Sequence, residues 1–478
     1  MTQISPKLTS SYIHVPNEQP CLGKTAGQLF NERANNNPDK EMYVFYADKE
    51  WKTYKQMQDE SHQFARGLLK LGLKKGDTLG IWGGNHYEWL LAYLASFQIG
   101  VITLGIKVIV LMRSPADLCD KACQVIPELA VNSAENLNCQ GTPSLRYVIN
   151  AGKKCSGAYS LVEFMELGKA VDESVFFKAC ELVDFDDPLA VFFTSGSTGF
   201  PKAVTHAHRL LNFFPDLYDL YSKPYSVDAE DNGIPWISRF ALTTSFGGDG
   251  AFIPILYTAT TIIPGPTFDA QILASAIQDE KVTSTSMLIH HLNDILSLPN
   301  FDEYDFASLQ LCLTGGSIIP RSLRDRMTKI ANHILLVYGG TEGFILHQTP
   351  KDPTELLQGA AYPPVAGQEM KVIGPDEQIV PINTSGEICF RGRSLFMYYW
   401  GEDATTKAVK KSTGWYHTGL HPSAKVTVDE LKEFCRGKVS DFLIPKYILF
   451  MEAAFPTTET GKFSRNQIAA QAKSLLGL

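Results

Sequence analysis

Thr194-Ser195-Gly196-Ser197-Thr198-Gly199-Phe200-Pro201-Lys202 follows directly on the apolar run Pro188-Leu189-Ala190-Val191-Phe192-Phe193. A short apolar run bounded by Asp187 and Thr194 reads as a buried strand, so the hydroxyl-rich stretch is the loop leaving a strand end. Gly196 and Gly199 let the backbone come close to a polyanion and turn its N–H groups inward. Thr194, Ser195, Ser197 and Thr198 add hydroxyl donors, and Lys202 adds a full positive charge. The competing reading is a plain Ser/Gly turn. Such turns are common, but a dense hydroxyl–glycine run closed by Pro-Lys straight after a buried strand is not. No Gly-Lys-Ser/Thr closes the loop, so it is not a Walker loop. The stretch predicts a phosphate-binding site.

Outward from the loop, other short apolar segments have the same form, among them Thr78 to Trp82 and Gln310 to Thr314. Amphipathic stretches such as Tyr54 to Leu71 and Tyr87 to Phe97 lie between them. Strands alternating with helices predict an α/β protein with largely parallel sheets. Ile99 to Met112 is the most apolar run, but Lys107 interrupts it and it falls short of the ~18 clean residues of a spanning helix. It reads as buried strand. Past Gly374 the texture shifts to turns and short strands, which predicts a small β-rich module. From about His421 to Leu478 runs a tail with one helix-like stretch, Asp429 to Arg436, marginal as a domain on its own.

Composition narrows the function. At 478 residues the chain should form two or more domains. A net charge of −8 argues against a nucleic-acid partner, because phosphate backbones need a basic face. Nine cysteines, spread from Cys21 to Cys435, show no paired metal-type spacing; even Cys119 and Cys123 read as reduced thiols of an intracellular protein. His290-His291 invites a metal reading, but neighbours on a helix should point apart. Residues 1–19 carry neither an apolar signal core nor an Arg-rich transit pattern, so no address is visible and cytoplasm is the expectation.

Five further motifs follow the loop in order: Gly315-Gly316-Ser317, Tyr338-Gly339-Gly340-Thr341-Glu342, Gly386 to Gly392, Gly414 to Gly419, and Pro456 to Lys462. Together the six resemble the signature set of the acyl-adenylate-forming, or AMP-binding, superfamily, which includes acyl-CoA synthetases, luciferases and peptide-synthetase adenylation domains. Ser5 to Tyr12, Tyr399-Trp400-Gly401-Glu402 and Val428 to Tyr447 resemble its medium-chain acyl-CoA ligases. The resemblance implies a large N-terminal domain, 1–419, of two parallel-sheet lobes plus a small β module. A truncated α+β C-terminal domain, 420–478, would follow.

The resemblance also implies a function: fatty acid, ATP and CoA converted to acyl-CoA, AMP and diphosphate, with Mg²⁺ as cofactor, coenzyme A as co-substrate and a mitochondrial address. By the same resemblance, residues 194–202 hold the β- and γ-phosphates and Gly315, Gly316 and Ser317 lie against adenine. Tyr338 faces the base, with Gly339 beside it. Thr341 contacts the α-phosphate, Glu342 holds Mg²⁺, and Lys462 bridges the acyl and phosphate oxygens. A solvated carboxylate at a helix start is the competing reading of Glu342, which its place directly after Tyr-Gly-Gly-Thr argues against; His417 reads as a structural histidine rather than a base.

The chain departs from the family's pattern in three places. Leu420 stands where an aspartate binds the ribose, and the segment with the ribose-binding arginine and the hinge is missing between Gly419 and His421. After Val101-Ile102-Thr103-Leu104 an Asn-Pro segment is missing, and Ile106 to Met112 fits no part of it. Thr244-Ser245-Phe246-Gly247 lacks the histidine that lines the acyl pocket. The alternative expectation is therefore a catalytically impaired nucleotide- or acyl-binding remnant, such as a splice isoform without the hinge.

Overall fold

A computed structural model of the chain describes residues 9–16, 20–104, 108–112, 118–153, 155–194, 201–212, 235–237, 249–315, 321–348, 366–419 and 474. Among these residues the strands form two eight-stranded sheets and one four-stranded sheet.

The first large sheet runs, in space, Tyr398–Tyr399, Ala203–Ala207, Pro188–Phe193, Ile102–Thr103, Thr78–Trp82, Val108–Leu111, Tyr147–Asn150, Tyr159–Ser160. From Pro188–Phe193 outward to Tyr159–Ser160 all neighbours are parallel, while Ala203–Ala207 and Tyr398–Tyr399 return antiparallel at the other edge. In the second sheet the order is Gly343–His347, His333–Gly340, Leu311–Gly315, Ser284–Ser286, Pro235–Ile237, Thr260–Ile263, Glu41–Phe45, Glu50–Thr53. Its six inner strands are parallel and only the two edges run antiparallel. Apolar runs such as Val-Ile-Val-Leu at 108–111 make these inner strands, because a parallel sheet is covered by helices on both faces. The α/β expectation of two parallel-sheet lobes holds.

The Ile99–Met112 run is not one strand. It splits into Ile102–Thr103 and Val108–Leu111, which lie on opposite sides of Thr78–Trp82. The stretch without a counterpart in the family pattern thus becomes an interior strand. The small β module also starts earlier than its sequence texture: Tyr12–Val15 pairs antiparallel with Gln368–Ile373, followed by Glu387–Gly392 and Tyr416–His417. Cys119 and Cys155 form a disulfide, which corrects the all-thiol expectation. The separation of 36 residues hid the pair from any reading of local spacing.

Helices Ala26–Asn36, Tyr54–Lys70 and Tyr87–Gln98 pack on one another beside the first sheet. The last, YEWLLAYLASFQ, is apolar nearly all round and buries every residue but Tyr87, so it lies in the interior. Its Gln98 Nε2 donates to Ser61 Oγ at 3.1 Å, and the half-buried Asn31 Nδ2 donates to Gln98 Oε1 at 3.0 Å, joining the three helices through the buried Gln98 amide. Thr25-x-x-Gln28, Thr53-x-x-Gln56 and Ser160-x-x-Glu163 are capping boxes that start three of the helices. Arg33 donates to Ile255 O and Leu256 O, both at 3.2 Å, at the C-terminal end of helix Asp249–Tyr257. There a cation meets orphan carbonyls and the negative end of the dipole. Among the described residues no helix is long and apolar enough to cross a membrane.

Candidate active site

The loop from Thr194 to Lys202 leaves the C-terminal end of Pro188–Phe193 and returns as Ala203–Ala207, with Ala203 opposite Phe193. Its base is closed from both sides. Thr194 N donates to Lys202 O at 3.0 Å, and Lys202 N donates to Thr194 Oγ1 at 3.0 Å. Thr194 thus spends its hydroxyl acceptor on pinning the loop mouth. Ser195, Gly196, Ser197, Thr198, Gly199 and Phe200 lie outside the described residues; Pro201 is exposed and Lys202 half-buried.

Glycine and tyrosine from the second sheet arrive at a matching strand end. Gly315 closes Leu311–Gly315 opposite Val337, one residue before Tyr338. A Cβ on Gly315 would sit 2.3 Å from Val337 O, so close strand approach demands glycine there. Gly316 and Ser317 lie outside the described residues. Tyr338 is half-buried against Val204, Phe390, Leu395, Phe396 and Tyr399, and burial raises its hydroxyl pKa. The ladder shifts register between Tyr338 and Gly339, a bulge that bends the strand into its turn.

Thr341 and Glu342 are that turn, between Gly340 and Gly343 of a hairpin. The helix-start reading of Glu342 is therefore replaced: it is a hairpin-tip carboxylate, half-buried and held. Tyr399 Oη donates to Glu342 Oε1 at 2.7 Å, and Phe396 N donates to Glu342 O at 2.8 Å. A Cβ on Gly340 would lie 3.1 Å from Glu342 Oε2, so glycine leaves room at the second carboxylate oxygen. His206, fully buried on the return strand, contacts Thr341 O through Nε2 at 2.7 Å. A carbonyl only accepts, so Nε2 carries the proton. Burial pushes the His206 pKa down to about 4, which keeps the ring neutral.

The two sheets therefore join at this hairpin tip. Lys202 Nζ lies 5.1 Å from the Tyr399 ring centroid and makes no ion pair among the described residues. Tyr399 and Tyr416 are both raised well above the ordinary tyrosine value, first by burial and then by the Glu342 carboxylate. Lys410, lowered to about 8 by burial, donates to Phe396 O at 2.6 Å and Met397 O at 2.9 Å, fixing the segment that presents Tyr399. Sequence reasoning did not assign roles to His206, Tyr399 or Lys410. Tyr399 lies in the Tyr399-Trp400-Gly401-Glu402 motif, but nothing local in the sequence pairs position 399 with 342.

His417 Nδ1 contacts Glu387 Oε2 at 3.0 Å across the antiparallel pair, in line with a structural role. The His290 and His291 rings meet at 3.8 Å rather than pointing apart, yet no third ligand completes a set there among the described residues. Lys462, Leu420 and Thr244 to Gly247 lie outside the described residues, as does all but one residue of the 420–478 segment.

A family model described as AMP-binding enzyme matches residues 30–400. The chain belongs to the AMP-binding enzyme family. Similar curated proteins include the mitochondrial medium-chain acyl-CoA ligase ACSF2 of Danio rerio, 25% identical over 99% of this chain and 92% of that protein. The Homo sapiens ligase of the same name is 25% identical over 98% and 91%. The Danio rerio alignment spans 578 positions against the 478 residues of this chain, so this family member is matched across internal gaps. Among solved structures, the luciferase-like enzyme of the nonluminescent Zophobas morio mealworm superposes with a TM-score of 0.70 at 20% identity, covering 86% of this chain and 95% of that one. A fatty acyl CoA synthetase of Mycobacterium tuberculosis gives 0.66 at 18%, covering 94% and 99%. These two share the adenylate-forming fold.

Proposed function

We propose that this chain is an ATP-dependent acid–thiol ligase that activates a medium-chain fatty acid as its acyl-adenylate and transfers the acyl group to coenzyme A. The observation carrying the reading is the join of Lys202, Tyr399 and Glu342, which sets a cation beside a held carboxylate at two of the family's motif positions. The medium-chain preference and a mitochondrial address rest on the names of the Danio rerio and Homo sapiens relatives.

Carboxylates exchange oxygen for sulfur slowly, so one fatty-acid oxygen first attacks the α-phosphorus and diphosphate leaves. CoA thiolate then attacks the acyl carbon and AMP leaves. The first step gathers negative charge on phosphoryl oxygens, and fixed donors and cations lower its barrier. Lys202 and the 194–202 loop would bind the β- and γ-phosphates. Thr341 would hold the α-phosphate, with its backbone fixed by His206. Gly315, Gly316, Ser317, Tyr338 and Gly339 would frame adenine, and Lys462, from a C-terminal segment beginning at 420, would bridge the acyl and phosphate oxygens. Glu342 would hold a magnesium ion: Tyr399 binds Oε1, Tyr416 also hydrogen-bonds the carboxylate, and the lack of a side chain at Gly340 keeps Oε2 from being crowded on that side. Magnesium there would neutralise phosphate charge.

ATP–pyrophosphate exchange by the full-length chain with octanoate tests the reading. Octanoate-dependent exchange followed by octanoyl-CoA on adding CoA supports it. Tight ATP binding without exchange would replace it with the nucleotide-binding remnant.

A further inference from the structure

Far along the first sheet from the nucleotide loop, three sulfurs meet. Cys119 and Cys123 sit one turn apart on helix Leu118–Val125, and Cys155 follows strand Tyr147–Asn150. That strand lies four places from Pro188–Phe193 in the sheet, roughly 19 Å at the usual strand spacing. Cys119 and Cys155 are bridged, with Cα atoms 6.3 Å apart. The Cys123 Sγ stands 4.0 Å from Cys119 Sγ and 3.9 Å from Cys155 Sγ. Cys119 and Cys155 are buried and Cys123 is half-buried. A disulfide needs two of these sulfurs and does not account for the third.

Three thiolates about one cation at a bond length of ~2.3 Å stand ~3.8 Å apart in tetrahedral geometry and ~4.0 Å apart in a trigonal plane. Both Cys123 separations already have this value. We propose that reduction of the Cys119–Cys155 bridge turns Cys119, Cys123 and Cys155 into a three-thiolate site for a thiophilic d10 cation, Zn²⁺ or Cu⁺. No His, Asp or Glu belongs to the cluster among the described residues. An all-sulfur donor set selects soft cations over Mg²⁺ or Ca²⁺.

The chemistry balances with a thiol reductant. A dithiol gives two electrons and two protons to the bridge, becoming a disulfide itself and leaving thiols at Cys119 and Cys155. Three thiols then bind the cation and release three protons, so affinity rises with pH. Only the Cys119 and Cys155 sulfurs must separate, by side-chain rotation, since their Cα spacing is wide enough for either state. Bridge and metal site are alternative states of one cluster. The cluster lies four strands from Pro188–Phe193, so occupancy should act on the stability of this edge of the lobe.

The test uses the full-length chain reduced anaerobically with a phosphine, titrated in separate arms with Zn²⁺ against a chromophoric chelator and Cu⁺ against bicinchoninate. One equivalent bound in either arm, with sulfur-to-metal charge transfer and three sulfurs by X-ray absorption, supports the site. Cys123→Ser should weaken binding at least about a hundredfold, more than altering a neighbour of a ligand does, while Cys180→Ser leaves it unchanged. No stoichiometric binding in either arm overturns the proposal, as does equal affinity of the wild type and Cys123→Ser. If Cys123→Ser does not fold, the wild-type sulfur count decides: fewer than three sulfurs overturns the site.

Discussion

Lowering the pH from 7.5 to 5.5 should remove about 4 kcal/mol of folding stability, through the buried His206 and His208 and the half-buried His62. Burial holds His62, His206 and His208 each down to about 4. His208 Nδ1 also accepts from Ala26 N at 3.0 Å, a bond only the neutral ring can make. In the unfolded chain a histidine titrates near 6.5, so below that pH the unfolded state binds the extra protons. The stabilisation is whole above neutrality and drains away as pH falls from about 6.5 towards 4. Each site loses about 1.3 kcal/mol between pH 7.5 and 5.5, and the slope at pH 5.5 corresponds to two to three protons. Against a net stability of about 5–15 kcal/mol this is a large share. Glu32, Glu128, Asp172, Asp305 and Glu369, all lowered, titrate below this window; Glu280, raised by burial, acts weakly in the opposite sense. Urea unfolding followed by tryptophan fluorescence at several pH values measures the effect. His208→Gln should start less stable yet lose about a third less on acidification. A wild-type free energy that changes by less than about 1 kcal/mol over this range would refute the assignment.

Three substitutions probe the site. Tyr399→Phe keeps the ring among Phe396 and Tyr416 but removes the bond to Glu342; losing a charge-assisted hydrogen bond of about 1.5–3 kcal/mol should raise the Mg²⁺ needed for half-maximal ATP binding roughly 10- to 150-fold, by calorimetric titration. Unchanged Mg²⁺ dependence would show that Tyr399 does not position the carboxylate. Lys202→Ala should weaken ATP by about the same factor with little change in melting temperature, because the ammonium forms no ion pair among the described residues. Gly315→Ala forces a Cβ within 2.3 Å of Val337 O and should cost about 1–3 kcal/mol of stability along with ATP affinity. Full stability of that variant in urea would mean the strands can move apart freely.

The fold was legible where apolar runs set periodicity. Pro188–Phe193 and Tyr54–Lys70 lie where their patterns place them, because burial of one continuous face decides such elements locally. Boundaries failed at Ile99–Met112, where uniform apolarity hides a break: two strands on either side of a third read like one. The β module's first strand was missed because its partner is some 357 residues away, and no window spans that distance. At the site, the hydroxyl–glycine loop at 194–202 announced itself by composition, and Gly315, Tyr338, Thr341 and Glu342 only by resemblance to the family's motifs. The residues that fix them did not: His206 reaches Thr341, and Tyr399 reaches Glu342, only across a join between two sheets.

Tyr12–Val15 is an edge strand whose only ladder partner among the described residues is Gln368–Ile373. During synthesis at about 5–20 residues per second, it must therefore wait roughly 20–70 s for that partner. Through that interval the nascent chain carries an unsatisfied strand, open to mispairing and to chaperone capture. Yield from cells should accordingly depend on Tyr12–Val15, whose partner Met370 packs on the cluster of Phe390, Phe396 and Tyr399.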